Sequence, residues 1–314
     1  MTFSPRNVSP RGRALVAMAL AAVIFSLLAA CVRAAARPHL LPATAHAAPL
    51  PGGELAFFRY LFGLVFLFAL HARRGGLSDL LGNDRRALLL RGVYGGLASV
   101  FYFLGLEHAS LTHATLLNYT SVIWAPCLAV WALKERLGRG GALAVGVALV
   151  GVLLVTRPEI GSVNGGDALA LLSGVLAGAS IVQIRRVRQG ESAFAVFFWF
   201  NLLGLPMSLV AVLFAGEPWV WPAPVHVPLL LAIGATSVAG QLLLTYGYRE
   251  ISTAQGSLIT LNAVVFSALL AHAVFGEPLP VATLVGGAFI LASAASLVVS
   301  RTAARPPRGN DVTA

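Results

Sequence analysis

Charge is what this sequence has least of: Asp, Glu, Lys and Arg make up 11% of its 314 residues, against 58% apolar. A soluble domain covers its surface with roughly 25–35% charged side chains, so a freely soluble fold is excluded. Mean hydropathy is +0.82. Cysteine is nearly absent as well. Cys31 and Cys127 are the whole complement and both lie in or beside apolar runs, leaving no disulfide framework and no thiolate metal site. The seven histidines are scattered, without the spacing of a metal or acid–base centre. No phosphate-binding loop occurs. No metal, no cofactor and no catalytic residue is therefore expected. The formal charge of +10 sits in short clusters between apolar runs, which fits anionic lipid headgroups and not nucleic acid.

What the sequence does hold is long apolar runs. A spanning helix needs ~20 mostly apolar residues. Ten windows qualify, at 15–32, 55–71, 87–106, 111–133, 143–156, 168–184, 193–214, 227–246, 254–275 and 281–299. A connection rich in Pro and Ala, 34–53, separates the first two. With a cytoplasmic N-terminus, 18 of the 22 Lys and Arg residues fall inside, Arg91 among them. Arg33, Arg37 and Arg157 fall outside, and Arg59 is the one basic residue well within a span. That bias places both termini in the cytoplasm of a bacterial-type inner membrane.

The sequence also matches itself. At an offset of 142, Gly105 meets Gly247, Ser110 meets Ser252, Glu135 meets Glu277 and Leu137 meets Leu279. At 140, Phe57-Phe58 meets Phe197-Phe198, and at 154, Ser26 meets Ser180. The change of offset puts about fourteen extra residues in the 34–53 connection. Each half then holds five spans, and an odd number turns the second half upside down in the bilayer. The expected fold is all-α and integral to the membrane: ten transmembrane helices as two inverted five-helix repeats, 1–157 and 158–314.

Phe57-Phe58-Arg59-Tyr60 at the start of a span resembles the drug/metabolite transporter superfamily, EamA branch. So does the stretch from Ala109 through Pro126 to Glu135-Arg136-Leu137, with its degenerate copy Gly276-Glu277-Pro278-Leu279. The resemblance covers 15–299. It implies a ten-helix fold whose central cavity is lined mainly by the first, third, fourth, sixth, eighth and ninth spans. The second half departs from the pattern, with Trp199 in place of Arg59 and Ala268 in place of Pro126.

Polar side chains within a bilayer call for a partner, a cavity or a function. His113, Thr120, Trp124 and Cys127 recur at helical spacing on one face of the fourth span. The 142 offset sends the first three to Gln255, Asn262 and Phe266. Two such stripes facing each other would offer a small amphipathic solute a few hydrogen bonds and an aromatic wall. The alternative use is packing between helices. Arg59 either snorkels to the outer surface or binds a substrate carboxylate. Tyr94, Tyr102, Gln241 and Tyr246 can line the same cavity from the third and eighth spans. Glu135 and Glu277 end their helices at opposite faces, which fits a local capping or ion-pair role. Gly146, Gly151, Gly286 and Gly287 permit close helix contact, either within the chain or across a homodimer seam.

Absences also narrow the mechanism. Glu54, Glu107 and Glu250 all map to span ends, which disfavours proton coupling through a buried carboxylate, keeps His113 as a candidate titrating group and makes facilitated diffusion or exchange the default. No mid-span pair of basic residues is in evidence to grip a phosphate. The expectation is a secondary transporter, an exporter of small metabolites such as amino acids, with a small-molecule solute and the lipid bilayer as partners and no nucleic acid. A passive channel or an integral membrane enzyme is the alternative. A rival reading of 1–31 as a lipoprotein signal ending Leu28-Ala29-Ala30-Cys31 would break the Ser26–Ser180 match.

Overall fold

A computed structural model describes residues 9–71, 76–108, 111–156, 165–215 and 218–303. Among them there is helix and no strand. The helices are α1 (Pro10–Ala36), α2 (Gly52–His71), α3 (Leu77–Leu81), α4 (Arg85–His108), α5 (Leu111–Tyr119), α6 (Ser121–Ala132), α7 (Arg139–Thr156), α8 (Gly165–Val187), α9 (Ala193–Ala215), α10 (Val227–Gly247), α11 (Thr253–Phe275) and α12 (Val281–Ala303). Nine segments of the described residues are long and apolar enough to cross a bilayer. One of these, Ala114–Ala132, spans α5 and α6. Outside that set are the five-residue α3 and the long α4, 24 residues, with Arg85, Arg86 and Arg91 in its first two turns.

Lipid-facing surface is apolar where a soluble protein would carry charge. Trp131, Phe214, Leu213 and Val281 are among the most exposed side chains. Backbone groups are satisfied within helices, as a bilayer demands, and the ends carry caps. The Ser9 hydroxyl accepts from the Gly12 amide with Pro10 in the first turn, and Ser252 opens α11 in the same way. The 34–53 connection is folded into two 3-10 turns, Pro38–Leu40 and Pro42–Thr44, and the Thr44 hydroxyl closes them onto the Pro38 carbonyl at 2.8 Å.

Packing follows the self-match. The most extensive helix packings keep their pattern when α1, α2, α4, α5–α6 and α7 are exchanged for α8, α9, α10, α11 and α12. Thus α4 on α8 answers α10 on α1, α4 on α9 answers α10 on α2, and α6 on α8 answers α11 on α1. The pairs α2–α9, α7–α12 and α6–α11 map onto themselves. α2 runs antiparallel to α9, with Gly53 against Val212, Tyr60 against Gly204 and His71 against Phe194. In α7–α12, a Cβ on Gly151 would lie 2.6 Å from the Gly286 carbonyl oxygen, and one on Gly286 would lie 2.5 Å from that of Gly151. These two glycines thus serve packing inside the chain, whereas Gly146 has open space around it.

The helix ends match too. α6 closes with Lys134 in the left-handed region (φ 54°) and α11 with Gly276 (φ 66°), positions 142 apart. In each, the next amide reaches back to a carbonyl six residues earlier, Glu135 to Ala129 at 3.2 Å and Glu277 to Ala271 at 3.4 Å, so the two helix ends close with the same wide turn.

Candidate functional site

The fourth apolar run is two helices, not one. α5 ends at Tyr119, α6 starts at Ser121, and Thr120 forms the joint. Pro126 has no N–H to give the Val122 carbonyl and its ring crowds the preceding turn. The Thr120 amide and hydroxyl both turn back to the Leu117 carbonyl, at 3.2 and 2.5 Å. The Trp124 indole N–H donates to the Thr120 hydroxyl at 3.1 Å. α8 lies against this joint because it has no side chains there. A Cβ at Gly174 would sit 2.5 Å from the Leu117 carbonyl, and one at Gly178 would sit 2.7 Å from Trp124 Cβ. α11, which has Ala268 where α6 has Pro126, is unbroken.

A polar seam runs beside the joint. The Tyr102 hydroxyl meets the Thr115 hydroxyl at 3.0 Å, and the Asn118 amide donates to the Ser173 hydroxyl at 2.9 Å. Sequence reasoning found Tyr102, Thr120 and Trp124 here but missed Thr115, Asn118 and Ser173. The rule that singled out Asn262, a polar group inside an apolar run, applies equally to Asn118. Following one face of one continuous helix hid it, and that face does not hold together: Trp124 is half-buried while Cys127 is exposed. His113 belongs to α5, and its side chain lies outside the described residues.

The matching stripe on α11 is differently employed. Gln255 is buried and donates to the Leu297 carbonyl of α12 at 2.8 Å, a packing role. Asn262 turns its amide N–H onto the Leu258 and Ile259 carbonyls of its own helix, and its Oδ1 is buried without a hydrogen-bond partner. Phe266 is half-buried, as are Tyr94 on α4 and Gln241 on α10, whereas Tyr246 is exposed. α11 packs on α6, so the helices that carry the two stripes adjoin.

At the end where α1 and α11 begin and α8 and α10 finish, a cavity of about 440 Å³ is lined by Arg11, Glu135, Arg136, Arg185, Glu250, Ser252 and Gln255. Its wall is an ion pair. Glu135 accepts from Arg185 Nε at 3.2 Å and, with its other oxygen, from the Thr253 amide at 3.0 Å. Arg185 Nη1 donates to the carbonyls of Tyr248 and Arg249 at 2.8 and 2.7 Å. An anion thus meets the N-terminus of α11 and a cation the C-terminus of α10, each where the helix dipole favours it. Burial raises the Tyr248 phenol above its usual range. Burial, and then the charge of Arg249, lowers Arg188, which donates to the Thr245 carbonyl at 3.0 Å.

The opposite end repeats the device. Glu277 pairs with Arg33 in the last turn of α1, and Arg33 also lies over the Phe275 ring at 5.9 Å. Two more carboxylates clasp the other half's loops. Glu54 at the start of α2 accepts from the Val220 amide, and Glu191 before α9 accepts from those of Asn83 and Asp84.

The structure places two arginines: Arg59, for which the sequence left two uses open, and Arg91, which the sequence counted only as an inside charge. Arg59 does not turn outward: its guanidinium carbon lies 4.7 Å over the Tyr60 ring and 5.8 Å over that of Phe200, the eighth residue of α9. Arg91 is not a surface residue of a connection. It is 3% exposed, lies 4.3 Å over the same Phe200 ring and donates to the Ser180 hydroxyl at 2.6 Å. Two cations therefore share one ring inside the bundle, where the sequence offered no such pair.

The profile of the EamA-like transporter family matches twice, over residues 12–157 and 164–299. The chain belongs to this family. Membership makes it a membrane transporter in general terms, without naming a substrate or a direction. Among curated relatives, the pseudopaline exporter CntI of Pseudomonas aeruginosa is 29% identical over 90% of this chain and 94% of its own length. Human solute carrier family 35 member G1 is 27% identical over 75% of this chain and 68% of its own. The S-adenosylmethionine uptake transporter of Rickettsia bellii is 24% identical over 79% and 84%. A solved crystal structure matches with a TM-score of 0.71 over 93% of this chain and 98% of its own, at 19% identity. At that identity the likeness speaks to the fold alone.

Proposed function

We propose that this chain is a secondary transporter that moves small polar metabolites such as amino acids, outward, by alternating access. In this reading α4 is a tenth span and the two family repeats are inverted five-helix halves. The arginine bias supports cytoplasmic termini in a bacterial inner membrane.

The observation that carries the reading is the pair of matched closures. Arg185–Glu135 joins α8 to the end of α6 at one end, and Arg33–Glu277 joins α1 to the end of α11 at the other. A carrier that opens to one side at a time needs a separable closure at each end, and two related halves supply one each. The joint at Thr120 fits the same scheme, because interrupted helices expose backbone groups beside a substrate path. Thr120, Trp124 and Tyr102 would then meet the solute from the first half and Asn262, with its unused Oδ1, from the second, with His113, Gln241, Phe266, Arg59 and Tyr246 near the path. Gln255, tied to α12, holds the frame. Outward direction is proposed from the exporter that matches along 94% of its length.

The test is counterflow in proteoliposomes. Vesicles loaded with one unlabelled metabolite at a time are followed for entry of labelled amino acids. Accumulation driven by a loaded compound supports a carrier. Flux that runs only downhill, with no counterflow, would make the protein a channel. Asn262→Ala and Trp124→Ala should keep membrane expression and lose at least tenfold in flux.

A further inference from the structure

We infer that Arg59 and Arg91 form a carboxylate-binding site between α2, α4, α8 and α9, and that its occupant is the carboxylate of the transported solute. The inference rests on the transport reading above and adds the charge class of the solute.

The site is built, not incidental. Arg91 is buried within α4, and its guanidinium is laid along the helix toward Phe200 because Gly95, one turn on, has no side chain. A Cβ at Gly95 would collide with Arg91 Nη1 and come 2.8 Å from the Phe200 ring. Arg59 approaches the same ring from α2. The Tyr60 hydroxyl, bonded to Ser99 of α4 at 2.7 Å, ties the two helices together there. The two ring distances hold the guanidinium carbons within about 10 Å of each other.

Neither cation has an acidic partner among the described residues. Their ion-pairing carboxylates are elsewhere, at Glu135, Glu277 and Glu250. The Nε of Arg59 and the Nε of Arg91 are each buried without an acceptor. A guanidinium has five N–H donors in a fixed fork, and for Arg91 the structure gives one bond, to Ser180. Aromatic faces offset part of the lost hydration, but a pair of like charges inside a membrane protein still calls for a counter-anion. A carboxylate matches the fork with two parallel bonds. Trp199 and Ile233 occupy the matching positions of the second half, so the site occurs once and a solute meets it once per cycle.

The test measures binding, so it does not depend on flux. Purified full-length protein is melted in a neutral detergent against acetate, succinate and L-glutamate, with acetamide and succinamide, which carry no carboxylate, as controls, all at matched ionic strength. A saturable rise in Tm with succinate or glutamate, absent with the two amides, is expected. Arg59→Gln and Arg91→Gln should weaken the apparent affinity at least tenfold, and Arg139→Gln, an exposed arginine at the start of α7, should not. If Arg91→Gln fails to fold, Arg91→Lys and Gly95→Ala serve instead, the latter moving the guanidinium without removing its charge. No response to any carboxylate, or an equal response in the arginine variants, overturns the inference. So does stabilisation by phosphatidylglycerol through these arginines with none by the free carboxylates, which would assign the site to a lipid headgroup. Arginine-dependent binding without counterflow would leave the site standing and remove the transport reading. Counterflow that is indifferent to solute charge and to both arginines would do the reverse.

Discussion

Replacing Glu135 by Gln separates the closure at one end from everything else in the fold. The amide keeps an oxygen for the Thr253 N–H, so the start of α11 stays capped, but the charge facing Arg185 Nε at 3.2 Å is lost. The side chains of the pair are 23% and 19% exposed. An exposed ion pair contributes about 0.2–1 kcal/mol, and a hydrogen bond to a charged group about 1.5–3 kcal/mol. A mostly buried pair at a membrane boundary lies between these, at about 1–1.5 kcal/mol, which is roughly tenfold in the ratio of open to closed forms. Arg185 retains its two carbonyl bonds, so the effect on overall stability is small. The reporter is Ser252→Cys in a background with Cys31 and Cys127 replaced by Ser. Ser252 lines the cavity and is 8% exposed, so its labelling by an impermeant maleimide reports opening at that end. Adding Glu135→Gln should speed labelling about tenfold. Under the proposed alternating access, Glu277→Gln, which loosens the far end, should slow it. Equal rates in all three backgrounds would refute the idea that these ion pairs are closures.

Two other perturbations follow from the geometry. Pro126→Ala restores the missing N–H and should let α5 and α6 join, raising Tm because a mid-helix proline costs about 3 kcal/mol while counterflow falls; unchanged flux would show the joint to be incidental. Gly151→Val drives a side chain toward the Gly286 carbonyl and should lower stability by about 1–3 kcal/mol, read as a drop in Tm, whereas Gly146→Val, with open space around it, should leave Tm unchanged.

Much of the fold was legible because lipid is a demanding solvent. Every backbone polar group must be paired inside its own helix, so apolar runs translate directly into helices, and nine of the ten windows reappear among the candidate spans. The self-match was legible because it included Glu135 and Glu277, residues an apolar run does not supply by chance. The same offset links Lys134 to Gly276, and their shared left-handed caps explain why Glu follows each: the turn sets the carboxylate down beside an arginine of another helix. The site was less legible, since its determinants are tertiary. Pro126 announced a weakness in the fourth span but not that Thr120 would take up the break. Gln255 and Asn262 look alike in sequence, and only the Leu297 carbonyl of α12 makes one of them a strut. Arg91 lies close to Arg85 and Arg86 and reads as one more inside charge. Its burial depends on the Gly95 notch and on Phe200, more than a hundred residues away. Local pattern carries no trace of either.

The central claim is that the two halves enter the membrane in opposite senses, and single-cysteine labelling tests it most directly. Arg136 and Pro278 are exposed, 142 residues apart, and follow the two matched caps. In right-side-out membrane vesicles of the cysteine-free chain, Pro278→Cys should react with an impermeant maleimide and Arg136→Cys should react only after the vesicles are opened. Labelling of both from the same side would contradict the inverted arrangement, and with it the account of matched closures at opposite ends.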